Sequence, residues 1–257
     1  MENKVIVITG ASSGIGAESA RQLILRGDKV VLAARREPEL RNLEKEFGAN
    51  SLAVVCDATK KGDIENLKAK ALAKFGAIDV WINNAGLGIN RKYLDLTDEE
   101  FDIIINVNLR SVLYGIQTII PYFQERKKGH LINVSSFLGK VPFVTFRSIY
   151  SACKAALNSM TANLRMDLAA EYPDIKVTSL MPGPVNTDFA KKALGGTPQI
   201  PGGLRVANYQ TAEDVAKVML ETIDNPKPEI FTNPTLHEIS VKYAQDIGAF
   251  EEGLRKR

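Results

Sequence analysis

The chain has 257 residues, 45% hydrophobic and 25% charged, with a formal net charge of +3; that is enough apolar material for a substantial core in an ordinary globular protein. Its basic residues are scattered, which argues against nucleic acid as a partner, and Cys56, Cys153, His130 and His237 stand at no metal-ligand spacing, so no metal is expected. With two cysteines, no basic leader, and no apolar run near the roughly 18 residues of a membrane span, a cytoplasmic protein without a membrane partner is expected.

Short, continuous apolar runs alternate with segments of helical period. The first run, Val5–Ile8, leads into the turn Thr9-Gly10-Ala11-Ser12-Ser13-Gly14-Ile15-Gly16 and a helix over 14–26. A strand, a glycine-rich turn and a helix start form a cradle for a dinucleotide pyrophosphate: glycines let the main chain come close, and free N–H groups at the helix start favour the anion. A second strand, Val30–Ala33, ends in Ala34-Arg35-Arg36. An acidic residue at that place would bond the ribose hydroxyls of NAD; two guanidinium groups in its stead favour the 2′-phosphate of NADP(H). Helices over 38–47 and 61–75 flank a strand at Leu52–Val55, which is followed by Asp57 and Ala58. Val80–Ile82 runs into Asn83-Asn84-Ala85-Gly86, and one helix is predicted over 97–124.

The strand Leu131–Val134 ends in Ser135-Ser136, at the carboxyl edge where open α/β sheets hold their ligands. Tyr150 and Lys154, four apart in a helix over 150–171, share one face. A phenol can protonate a carbonyl oxygen, and a nearby ammonium makes the phenolate accessible for the reverse reaction. After Val177–Leu180, residues 184–209 carry seven glycines and prolines and read as a long loop, with 188–209 expected to act as a lid whose Phe189 and Leu194 close over substrate. A helix over 211–223 and a weak strand at Glu229–Phe231 complete the alternation. The tail, opened by a Thr235/Glu238 capping box, reads as one amphipathic helix over 235–256 that packs on its own domain or on a partner subunit. This rhythm predicts a Rossmann-type doubly wound parallel sheet of about seven strands in a single domain.

These motifs, in this order from about residue 3 to residue 188, resemble the short-chain dehydrogenase/reductase family. The resemblance implies that Tyr150 is the acid or base, that Ser136 holds the substrate oxygen, that Lys154 bonds the nicotinamide ribose and depresses the tyrosine pKa, and that Asn108 supports a proton-relay water. Ser135 is the neighbouring candidate, because the stretch to Tyr150 is about one residue longer than is usual in the family. The implied cofactor contacts are Gly10, Ser12, Ser13, Gly14, Ile15, Gly16, Arg35, Arg36, Asp57, Ala58, Asn84, Ala85, Gly86, Tyr150 and Lys154, with Pro182, Gly183, Val185 and Thr187 at the nicotinamide end. The family's aspartate-glycine-glycine strand terminus is replaced by Phe231-Thr232-Asn233-Pro234. The expected function is NADP(H)-dependent hydride transfer between nicotinamide and a small carbonyl or alcohol, in a homodimer or homotetramer. Two other functions fit the same motifs. One is a 3-oxoacyl-carrier-protein reductase, with Lys191, Lys192 and Arg205 as a thin docking patch; the other is a non-catalytic cofactor-binding regulator, against which the intact Ser136, Tyr150 and Lys154 argue.

Overall fold

The computed structural model describes residues 3–196 and 209–255. Seven parallel strands form one sheet: β1 (Val5–Thr9), β2 (Lys29–Ala34), β3 (Ser51–Val55), β4 (Val80–Asn83), β5 (Gly129–Val134), β6 (Ile175–Met181) and β7 (Glu229–Phe231). Their order is β3-β2-β1-β4-β5-β6-β7. The chain reverses direction of travel between β1 and β4, which opens a crevice at the carboxyl ends of those two strands. Every predicted strand is present.

Alternation along the strands supplies both faces of the core. Ile6, Ile8, Leu32, Ile82 and Ile132 pack under α1 (Gly14–Leu25), α2 (Glu37–Phe47) and α7 (Ala212–Asp224). Val7, Val31, Trp81 and Leu131 pack under α3 (Lys61–Phe75), α5 (Ser111–Arg126) and α6 (Ser148–Ala169). Burial on both sides is why these strands read as unbroken apolar runs. The helical stretch Asp98–Arg126 has the length and mean hydropathy, 1.4, of a membrane span. Val112, Ile119 and Phe123 nevertheless face the protein interior, so it serves as a core element here.

Two helices differ from expectation. The predicted 97–124 helix is divided into α4 (Asp98–Ile105), a wider π-helical turn at Asn106–Arg110, and α5. Asn108 explains the break: its Nδ2 donates to the Ile104 and Leu87 carbonyls at 3.0 and 2.9 Å. A side chain that takes a helix carbonyl loosens the ladder locally.

The tail forms α8 (Pro234–Gln245) and α9 (Ile247–Arg255) rather than one helix. Asp246 is extended (φ −153°) and its carboxylate accepts from the Ala249 N–H at 2.9 Å, so it starts a new helix. The first cap is also corrected. Asn233 accepts from Thr235 N with Pro234 at the helix start, in place of a Thr235/Glu238 box. Part of the apolar stripe is covered within the chain, where Leu236, Ile239, Tyr243 and Phe250 pack on Phe137, Val141 and Phe143, while Ile247 stays exposed.

Candidate active site

A cavity of about 1160 Å³ runs along the carboxyl edge of the sheet from the glycine turn to Tyr150. Its nucleotide end is made of main chain. Gly10 and Gly14 have φ of +69° and +57°, conformations that disfavour a side chain. A Cβ at Gly16 would lie 2.5 Å from the Gly10 carbonyl, and one at Gly10 would lie 2.8 Å from Ala85 Cα. Ser13, the residue before α1, makes no capping bond to the helix, so the first amides of α1 remain for an anion. Thr9 Oγ1 accepts from the Asn84 and Ala85 amides at 3.0 and 3.1 Å, and Asn84 Nδ2 donates to the Thr9 carbonyl at 2.9 Å. These bonds fix the Asn84–Gly86 turn against the glycine turn. The cradle therefore fits a dinucleotide.

At the end of β2, Arg36 Nη2 donates to both Ser12 Oγ and Ser13 Oγ, at 2.8 and 2.7 Å. Arg35 is exposed beside it, and both line the cavity. Asp57 lies at the rim with Oδ1 accepting from Thr59 N and Oγ1 at 3.1 and 2.8 Å. Ala58, Ile15, Pro182, Gly183, Val185 and Thr187 also border the space. All the expected contact positions except Asn108 thus share one cavity. Asn108 is buried behind it, where its Oδ1 accepts from Leu87 N at 3.1 Å; it braces the loop rather than lining the cavity.

At the other end, the two serines are separated by geometry. Ser135 Oγ donates to the Lys154 carbonyl at 3.1 Å, whereas Ser136 Oγ accepts from Leu138 N at 3.1 Å and its hydroxyl acts on the Tyr150 phenol. Burial pushes the Tyr150 phenol up, against a downward pull from the Ser136 hydroxyl and from the Arg147 charge. Lys154 is also buried, which lowers its ammonium to about 8; its Nζ donates to the Val134 carbonyl at 2.8 Å and lies 5.6 Å from the Tyr150 ring centre. Arg147 is a second cation acting on the phenol, beside the expected Lys154. Arg147 was missed, although a residue three before Tyr150 is one helical turn away.

The expected lid is visible only in part, since 197–208 lie outside the described residues. Residues up to Gly196 are tied to the 88–90 loop: Asn90 N donates to Leu194 O at 2.7 Å, Leu194 N to Gly88 O at 2.9 Å, and Asn90 Nδ2 to Gly196 O at 2.5 Å. Leu194 packs with Ile89, Ile104 and Tyr150 as a wall, whereas Phe189, 38% exposed, lies 5.7 Å from the Tyr150 ring.

Residues 4–196 match the family model for short chain dehydrogenase. An uncharacterized oxidoreductase of Staphylococcus saprophyticus is 40% identical over 191 residues, covering 74% of this chain and 77% of its own. The chain belongs to the short-chain dehydrogenase family. It is an oxidoreductase, an enzyme acting on small molecules. Among solved structures, a family member from Burkholderia phymatum in complex with NAD superposes with a TM-score of 0.85 at 25% identity, covering 96% of this chain and 94% of that one. An alcohol dehydrogenase from the archaeon Thermococcus sibiricus, complexed with 5-hydroxy-NADP, gives 0.75 at 27% identity, covering 90% and 96%. Nucleotide-binding relatives of this short-chain dehydrogenase thus include both NAD and NADP types.

Proposed function

We propose that this enzyme reduces a carbonyl compound, or oxidises the matching alcohol, with NADP(H), and that Tyr150 carries the proton. One observation supports this most: a buried phenol and the Ser136 hydroxyl line the same cavity as the glycine cradle. Bound nicotinamide would supply the hydride in reduction and receive it in oxidation. The protein's part is to hold and move a proton. Burial keeps the Tyr150 hydroxyl protonated near neutrality, ready to be given to an alkoxide-like oxygen. Ser136 donates to that same oxygen as charge develops on it. Arg147 and Lys154 together favour the phenolate left behind, while Asn108 and Thr9 hold the loops that shape the site.

Preference for NADP(H) follows from Arg35 and Arg36 beside Ala34. Each charge-assisted bond to a 2′-phosphate contributes roughly 1.5–3 kcal/mol, and Arg36 is already turned toward Ser12 and Ser13 at the cradle's mouth. The test is loss of nicotinamide absorbance over a panel of aldehydes, ketones, steroids and sugars, with NADPH and NADH compared. Turnover favouring NADPH is expected. Equal kcat/KM for the two nucleotides would defeat the cofactor assignment, and no turnover of any carbonyl would defeat the reaction.

A further inference from the structure

Arg147 is a half-buried cation in the cavity wall, one helical turn before Tyr150 and close enough for its charge to act on that phenol. Most arginines that this protein partly buries have carboxylate partners: Arg26 with Asp28, Arg91 with Glu100, Arg126 with Asp79. Among the described residues, no carboxylate lies within ion-pair distance of Arg147. Among the described residues its guanidinium has one long hydrogen bond, Nη1 to the Ile89 carbonyl at 3.4 Å. The rings of Phe146 and Phe189 lie 5.8 and 6.0 Å from it and exclude water from two sides.

The place is also shaped for it. A Cβ at Gly88 would collide with Arg147 Nη1, so that loop leaves room for the guanidinium. Its backbone is pinned by Arg91 N donating to the Phe146 carbonyl at 2.9 Å and Ser148 Oγ donating to the Arg91 carbonyl at 2.7 Å. A guanidinium has five donors in a rigid fork that matches a carboxylate. An unpaired, partly desolvated charge is costly, and a ligand anion offsets that cost. Asp188, which also borders the cavity, pairs with Lys191 and Lys192.

We infer that Arg147 anchors a carboxylate on the substrate, so that the compound turned over is an oxo acid or the matching hydroxy acid. One cation in an apolar wall suits a monoanion, whereas a phosphate dianion would leave a charge uncompensated. The assignment rests on the carbonyl reduction proposed above and adds the substrate class to it.

The experiment compares 2-, 3- and 4-oxo acids with their methyl esters, using NADPH and the native, Arg147→Lys and Arg147→Met proteins. For at least one chain length the native enzyme is expected to favour the acid by about tenfold or more in kcat/KM. Arg147→Met should cost that acid about 10–100-fold more in kcat/KM than it costs the ester, the scale of a lost charge-assisted contact, the smaller ester loss reporting the charge withdrawn from Tyr150. Arg147→Lys should retain part of the preference. Native preference for esters throughout, or an equal loss on acid and ester, would overturn the anchor, the latter by assigning Arg147 only to the tyrosine's charge. The ester rate also shows that the variant is folded. If no carbonyl of either kind reacts, the reaction itself is wrong, and calorimetric titration of butyrate against butyramide then decides the anchor alone. Butyrate binding lost in Arg147→Met supports it, and no butyrate binding to the native protein overturns it.

Discussion

At the nucleotide end of the cavity, main-chain groups and small residues from β1, α1 and the turn after β4 interlock: Gly10 against Ala85, Gly16 against Gly10, Thr9 against two amides. At the substrate end, side chains from distant loops meet around Tyr150, including Ser136 from the β5 edge, Arg147 from the start of α6, and Phe189 from the segment after β6. Backbone construction tolerates almost no change of residue type, so it leaves a spaced signature in the sequence. Side-chain construction tolerates many solutions and leaves no such signature.

The largest effects should fall where the backbone is tight. Gly10→Val puts a branched side chain at φ +69° with its Cβ 2.8 Å from Ala85 Cα; nucleotide affinity should fall by about 100-fold or more, on the scale of ~3 kcal/mol of strain and overpacking. Gly62, in α3, meets nothing within 4 Å, so Gly62→Ala should leave nucleotide binding unchanged. A fluorescence titration with NADPH measures both. Equal losses would show that the cradle is not where the nucleotide sits.

Lys154 gives the next effect, on stability. Its folded value of about 8 lies below the ordinary 10.5 because burial disfavours the charge. Between those values the unfolded chain binds the extra proton, so stability rises with pH there; below about pH 8 the whole cost of the buried charge is present. Lys154→Met should therefore stabilise the nucleotide-free protein at pH 7 by at most ~3 kcal/mol, less what the Val134 carbonyl loses with its partner, with the gain fading toward pH 10.5. Urea midpoints for both proteins at pH 7 and pH 10 test this, and a gain independent of pH would contradict it. Smaller again is Arg36→Ala, which should reduce the NADPH-over-NADH preference in kcat/KM by about tenfold. An unchanged ratio would place recognition of the 2′-phosphate elsewhere. Phe189→Ala should raise substrate KM by only several-fold, the scale of roughly 1 kcal/mol of lost apolar contact, with NADPH affinity intact. A loss confined to NADPH affinity would instead put Phe189 against the nucleotide.

Strand positions and the cradle were legible because burial on both faces and close backbone approach each restrict residue type at fixed spacing. Tyr150 and Lys154 were legible because a single helix fixes their relative placement. The break at Asn108 was not, since an asparagine inside a helical pattern does not announce that its amide will take the Ile104 carbonyl. Nor was the division of the tail at Asp246, where a local cap interrupts an apolar period that runs on through both helices. Arg147 escaped notice because a lone arginine reads as solvated until the tertiary fold shows Phe146, Phe189 and Gly88 around it.

The proposed chemistry turns on Tyr150 as the group that gives the proton. The decisive measurement is the single-turnover rate of nicotinamide oxidation after NADPH-loaded protein is mixed with the best carbonyl from the panel, in the native enzyme and in Tyr150→Phe. That change removes one hydroxyl and leaves the ring that packs with Ile89, Ile104 and Leu194. A fall of ~10²-fold or more with unchanged NADPH affinity is predicted; a Tyr150→Phe rate within a few-fold of native would contradict the mechanism.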